Sequence, residues 1–168
     1  MMMLSTALTA SVQRTWPRRL HKGVSNRSIQ VRYYFSSELS NAHRIVDRYP
    51  DLDCVFPNSG VQAQVRLSRP AEVDLDDFHQ EVSTNFNRLV DLSVKFLPHL
   101  QKKPVPTALI VTGTLLAHVP AVVMSAYSAS KAALAAYVDC LRRQNKASST
   151  KIIEMWPPVV QIEWPEIT

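Results

Sequence analysis

Apolar and polar positions alternate along this chain in blocks that switch between helical and extended periodicity. Leu39, Ala42, Ile45, Val46 and Tyr49 recur at three- and four-residue spacing, which predicts a helix that stops at Pro50. Residues 52–56 form a short apolar run closed by Asn58-Ser59-Gly60, the pattern of a strand followed by a turn. Beyond a loop containing Pro70, Asp74-Leu75-Asp76-Asp77 places acids at a helix start, where they complement the positive end of the helix dipole. Phe78, Val82, Phe86, Leu89, Val90 and Leu97 then carry an apolar stripe as far as Pro98. Residues 107–112, flanked by Pro106 and Gly113, read as a strand buried on both faces. The alanine-rich run that follows Tyr127 predicts a helix to about Lys146, and residues 151–156 a last strand halted by Pro157-Pro158. The order α, β, α, β, α, β predicts parallel strands joined by helical crossovers.

Composition alters this picture at one end. The 168 residues and 46% apolar content suit one soluble domain with one core. The formal net charge of +5 is unevenly spread. Residues 1–37 hold Arg14, Arg18, Arg19, Lys22, Arg27 and Arg32 and no acid, so 38–168 carry 13 bases against 14 acids. The basic character therefore belongs to a leader, and the domain at 38–168 offers no nucleic-acid surface. The leader resembles a mitochondrial presequence, with an unstructured extension as the alternative; residues 1–16 are weakly helical in pattern before Pro17. A cytoplasmic location is the expectation, mitochondrial import the second. No apolar run approaches the roughly 18 residues of a membrane span. Cys54 and Cys140 each sit in an apolar element and read as buried free thiols, which leaves a disulfide or a metal site as the poorer reading.

Ligands of parallel α/β sheets bind outside the carboxyl ends of the strands. Asn58, Thr112, Thr114 and Pro157 lie at such ends, and Tyr127 enters from the helix after the second strand. Tyr127 and Lys131, four apart on a helix, share a face. A cation beside a tyrosine favours phenolate and lowers the pKa from about 10 by roughly 1–3 units, which makes a general acid/base near neutral pH. Alone, this spacing is common on helix surfaces. Thr114 also reads as an ordinary loop residue, and Asn85 as a solvated helical asparagine.

Taken jointly, the residues resemble the short-chain dehydrogenase/reductase family over about 38 to 165. Asn58-Ser59-Gly60 is similar to that family's Asn-Asn-Ala-Gly turn, Tyr127 and Lys131 match its Tyr-x-x-x-Lys, and Pro157-Pro158-Val159-Val160 resembles its Pro-Gly-x-Val turn. Thr114 stands at the position of the catalytic serine and Asn85 at that of the proton-relay asparagine. The wording Pro50-Asp51-Leu52-Asp53-Cys54-Val55 looks closest to fungal members of the DltE-like branch.

The resemblance implies a Rossmann-type, doubly wound parallel sheet, here lacking the first βαβα segment. It implies NAD(P), with NADP ahead of NAD, and a small alcohol or carbonyl substrate. Tyr127 would exchange the proton, Lys131 would lower its pKa and bond the nicotinamide ribose, Thr114 would hold the substrate oxygen, and Asn85 would anchor a water leading to Lys131. Asn58, Tyr127, Lys131 and Val160 would contact the cofactor. Against this stand only three glycines, Gly23, Gly60 and Gly113, where a chain of this length carries roughly 12 at average usage, so the glycine-rich pyrophosphate turn has no match. Ile162 replaces a frequent threonine. A catalytically inactive remnant or interaction module is therefore the second reading. An uncovered sheet edge would favour a partner, and a homo-oligomer through the long helices at about 74–97 and 126–146 is expected, with Val82, Phe86, Leu89 and Leu134 available to it or, more simply, to the core.

Overall fold

A computed structural model describes residues 7–10, 29–32 and 42–157. Elements in chain order are β1 (Ala7–Ala10), β2 (Ile29–Arg32), α1 (Ala42–Arg48), β3 (Cys54–Val55), β4 (Pro57–Asn58), α2 (Leu75–Val82), a π-helical turn (Ser83–Asn87), α3 (Arg88–Gln101), β5 (Thr107–Thr112), α4 (Ser125–Gln144) and β6 (Thr150–Met155). From α1 onward the alternation matches the sequence pattern. Leu39 of the first expected helix lies outside the described residues.

The central sheet has the order β3-β5-β6, and both pairings are parallel. Strand β5 lies in the middle with Leu109 and Val111 fully buried, as its unbroken apolar run requires. The Thr107 hydroxyl donates to the Leu100 carbonyl at 3.1 Å and lies 2.9 Å from that of Thr150, fixing the entry ends of β5 and β6. Helix α3 packs on α1, β5 and β6, and α4 on α2 and β6. The core between them is built from Val55, Leu89, Phe96, Leu100, Leu109, Val111, Leu134 and Val138, all essentially unexposed.

Four expectations are corrected. Pro98 does not end its helix, which continues to Gln101, because buried Phe96, Leu97 and Leu100 on either side hold the last turn against the sheet; one missing N–H near a helix end is outweighed by that burial. The helix start is not apolar on its inner side: Phe78, Val82 and Phe86 are half-buried, while Glu81, Thr84 and Asn85 are buried. Within the basic leader, residues 7–10 are extended rather than helical: β1 pairs antiparallel with β2 on one side and with β4 on the other. The leader strands thus pair with β4 in a second sheet of order β2-β1-β4, which satisfies backbone groups of Pro57 and Asn58, while β3 pairs with β5. Cys140 is exposed on α4, and only Cys54 is buried; both are free thiols.

Leu89 and Leu134 are each 1% exposed and belong to this chain's own core, so they offer no face to a second copy. Phe86 packs edge-on against Tyr137 at 6.3 Å. No helix among the described residues is long and apolar enough to cross a membrane, and none of their His, Cys, Asp and Glu side chains group as a metal site would need.

Candidate active site

Strand β4 and the carboxyl end of β5 are joined by a side-chain bond: the Thr112 hydroxyl donates to Asn58 Oδ1 at 3.0 Å. Asn58 itself is exposed at the end of β4. The Thr112 carbonyl accepts from Lys131 Nζ at 3.0 Å, so the lysine reaches from α4 to the strand end. Lys131 is only 4% exposed, and burial depresses its ammonium to a pKa of about 8, partly offset by the Glu154 carboxylate of β6. An ammonium has three N–H groups, and the Thr112 carbonyl uses one of them.

Tyr127 lies one helical turn before Lys131, whose Nζ is 5.8 Å from the centre of the phenol ring. The phenol is held above its ordinary pKa by burial and by the charge of Glu81, while the hydrogen bond of the Thr114 hydroxyl works in the opposite direction. This reverses the sequence-based expectation of a Lys131-depressed tyrosine. Lys131 is committed to Thr112 and is itself desolvated, so in this structure burial and Glu81 outweigh it. Thr114 begins the turn Leu115–Ala117, its hydroxyl oxygen accepting the Leu116 N–H at 3.3 Å.

Asn85 is fully buried in the π-helical turn, an irregularity that often marks functional positions. Its amide forms a two-bond ring with one residue, accepting the Val61 N–H and donating to the Val61 carbonyl, both at 2.9 Å. Its amide is therefore not solvated, contrary to the plainer reading of the sequence: it clamps the segment after Gly60 to the helix. Ser59 adds a bond from its hydroxyl to the Thr84 carbonyl at 3.2 Å.

Two further groups were not singled out in the sequence. Gly113, after β5, lies under Glu154 and Trp156: a Cβ there would meet Glu154 Oε1 at 2.3 Å and Trp156 Nε1 at 2.7 Å. Trp156 in turn stacks on His118, ring centres 4.9 Å apart. Glu81, 2% exposed, has its carboxyl raised from an ordinary 4.5 to about 7 by burial, against the Ala63 N–H that lowers it. Its only sequence signal is its position one turn before Asn85. Of the expected site residues, Tyr127, Lys131, Thr114 and Asn58 gather at the strand ends, Asn85 braces them from the side, and Val160 lies outside the described residues, as does Ile162.

A family model for the short chain dehydrogenases matches residues 30–164. The chain belongs to the short-chain dehydrogenase family. Its α/β parallel sheet is that of the family's solved structures, among them an NADP complex of a short chain dehydrogenase from Burkholderia cenocepacia, 26% identical, with a TM-score of 0.59 over 69% of this chain and 46% of that one. The uncharacterized oxidoreductase DltE of Bacillus subtilis is 38% identical over 67% of this chain and 44% of its own length. The dehydrogenase OXI1 of Cochliobolus heterostrophus is 32% identical over 52% of this chain and 35% of its own. The chain thus spans less than half the length of the curated relatives it matches. The DltE relative is from Bacillus subtilis, so it does not bear out the fungal part of the expected likeness.

Proposed function

We propose that the chain is an NAD(P)-dependent oxidoreductase, NADP ahead of NAD, acting on a small alcohol or carbonyl compound with Tyr127 as its proton donor and acceptor. The observation that carries this reading is the meeting of Tyr127 and Lys131 at the carboxyl end of β5, where Lys131 Nζ donates to the Thr112 carbonyl and lies 5.8 Å from the centre of the phenol ring, with the Thr114 hydroxyl near enough to the phenol to lower its pKa. The relative solved with NADP supports the choice of cofactor.

The residues present fit one end of such a cofactor. Lys131 is buried with two N–H groups left to donate, and Asn58 is exposed beside it, which suits the hydroxyls of a nicotinamide ribose. No glycine-rich turn for a pyrophosphate occurs among the described residues. A bound nicotinamide would supply or take the hydride. The chain's own contribution is proton handling. Thr114 holds the substrate oxygen beside the Tyr127 phenol, the phenol gives or takes the proton, and Lys131, ionised below a pKa of about 8, favours the phenolate as it forms. Asn85 keeps the neighbouring segment in place through Val61.

Calorimetric titration of the full chain with NADPH and NADH tests this. Saturable binding, stronger for NADPH and weakened by Lys131→Ala, is expected. Absence of binding by either nucleotide would refute the reading and favour an interaction module without catalysis.

A further inference from the structure

Three apolar side chains at the carboxyl ends of β5 and β6 stand open to solvent: Leu115, Val119 and Trp156. Trp156 comes one residue after the Thr112–Met155 pair of the two strands, and so lies beside Gly113. The glycine makes room for it, since a Cβ there would meet Trp156 Nε1 at 2.7 Å and Cδ1 at 2.8 Å. Gly113 in turn sits between Thr114 and Thr112, whose carbonyl holds Lys131 Nζ at 3.0 Å. The indole therefore stands next to the backbone on which the Tyr127–Lys131 pair is built.

The indole is also braced. His118 stacks on it with ring centres 4.9 Å apart and planes 31° from parallel, yet 47% of the tryptophan remains exposed. His118 is fixed in turn, because its N–H donates to the Leu115 carbonyl at 2.9 Å and the turn Leu115–Ala117 packs on α4. Farther along the loop, the Ala121 N–H donates at 3.2 Å to the hydroxyl of Ser128, the residue after Tyr127. A scattered exposed side chain needs no explanation. An aromatic wall pinned to the helix that carries Tyr127, with apolar Leu115 and Val119 beside it, does. Ligand sites combine such apolar walls with a few placed polar groups, and a ring gains by stacking on an aromatic face already held in place.

We propose that Trp156, braced by His118, is a specificity-determining residue that receives the planar ring of an aryl aldehyde or ketone while the carbonyl points to Tyr127. The substrate class rests on the reading of the chain as a carbonyl oxidoreductase, but the preference of the wall for a planar ring is measurable without turnover.

The test compares benzaldehyde with its saturated counterpart, cyclohexanecarbaldehyde, as substrates of the full chain with NADPH. Trp156→Leu is expected to lower kcat/KM for benzaldehyde roughly 2- to 12-fold relative to cyclohexanecarbaldehyde, the worth of one aromatic pair, and Trp156→Phe to keep most of the preference. Comparing the ratio between chains cancels the different intrinsic reactivity of the two aldehydes. The binding arm follows, by nuclear magnetic resonance with NADPH present, the indole N–H signal that vanishes in Trp156→Phe. Benzamide should shift this signal at lower concentration than cyclohexanecarboxamide does. A ratio unchanged in Trp156→Leu would overturn the proposal. So would an indole signal that neither amide moves, or that both move alike, as a wall covered by another part of the chain or by a second copy would give. Should Trp156→Leu fail to fold by circular dichroism, the amide titration of the unsubstituted chain decides alone. Failure of the oxidoreductase reading looks different: neither aldehyde is turned over, while benzamide still moves the Trp156 signal ahead of its saturated counterpart.

Discussion

Replacing Asn85 by alanine tests whether this residue is a clamp. Its amide is fully buried and makes two bonds of 2.9 Å to the backbone of Val61. Each such bond contributes about 1 kcal/mol net, and each buried group left without a partner costs about 1–3 kcal/mol. Val61 is half-buried, so water can relieve part of this. The expected loss is therefore about 2–4 kcal/mol, a large share of the 5–15 kcal/mol that stabilises an ordinary domain. With a urea dependence of about 2 kcal/mol per molar, the unfolding midpoint should fall by about 1–2 M. Asn85→Leu, which fills the volume but cannot bond, should lose a similar amount, and in both variants amide exchange at Val61 should rise well above that of the neighbouring helix. A loss below about 1 kcal/mol with Val61 still protected would refute the clamp.

The Glu81 carboxyl, raised from 4.5 to about 7, binds a proton in the folded chain that it releases unfolded, so its contribution to stability falls as pH rises across that window; urea midpoints against pH should show a slope there that Glu81→Gln flattens, and equal slopes would contradict the assignment. Cys54, buried and pushed up to about 11, should resist alkylation at neutral pH while exposed Cys140 reacts, both reacting in denaturant; mass spectrometry that finds Cys54 modified in the folded chain would contradict its burial. Gly113→Ala places a methyl 2.3 Å from Glu154 Oε1 and 2.7 Å from Trp156 Nε1, so the indole must move; the expected change in tryptophan emission should be absent in a Trp156→Phe background, and its persistence there would sink the reasoning.

The parts of the fold that were legible in the sequence are those where one physical signal acts alone. Strand β5 is an unbroken apolar run between Pro106 and Gly113, and the structure begins and ends it at Thr107 and Thr112. Helix α4 follows from its alanines, and with it the shared face of Tyr127 and Lys131. Where two signals compete, periodicity misleads. Pro98 reads as a stop, but tertiary burial of Phe96, Leu97 and Leu100 overrides a local backbone cost. Phe78, Val82 and Phe86 read as the inner stripe of α2, whereas the inner side there is Glu81, Thr84 and Asn85. Glu81 and Asn85 face inward because the backbone at Ala63 and Val61 takes hydrogen bonds from their side chains, and beside them the Ser59 hydroxyl donates to the Thr84 carbonyl. Residues so distant in sequence reveal no such pairing. The antiparallel strands β1 and β2 were hidden by a basic leader composition, although Ile29-Gln30-Val31-Arg32 alternates as a strand does.

The central claim is that Tyr127 handles the proton of a nicotinamide-dependent reaction. Incubating the purified full chain with NADPH and a panel of small aldehydes and ketones, and following cofactor oxidation, tests it most directly. Turnover is expected, reduced to background by Tyr127→Phe while NADPH binding persists. Turnover that is equal in the two chains, or absent from the unsubstituted one across the panel while NADPH binds, would contradict it.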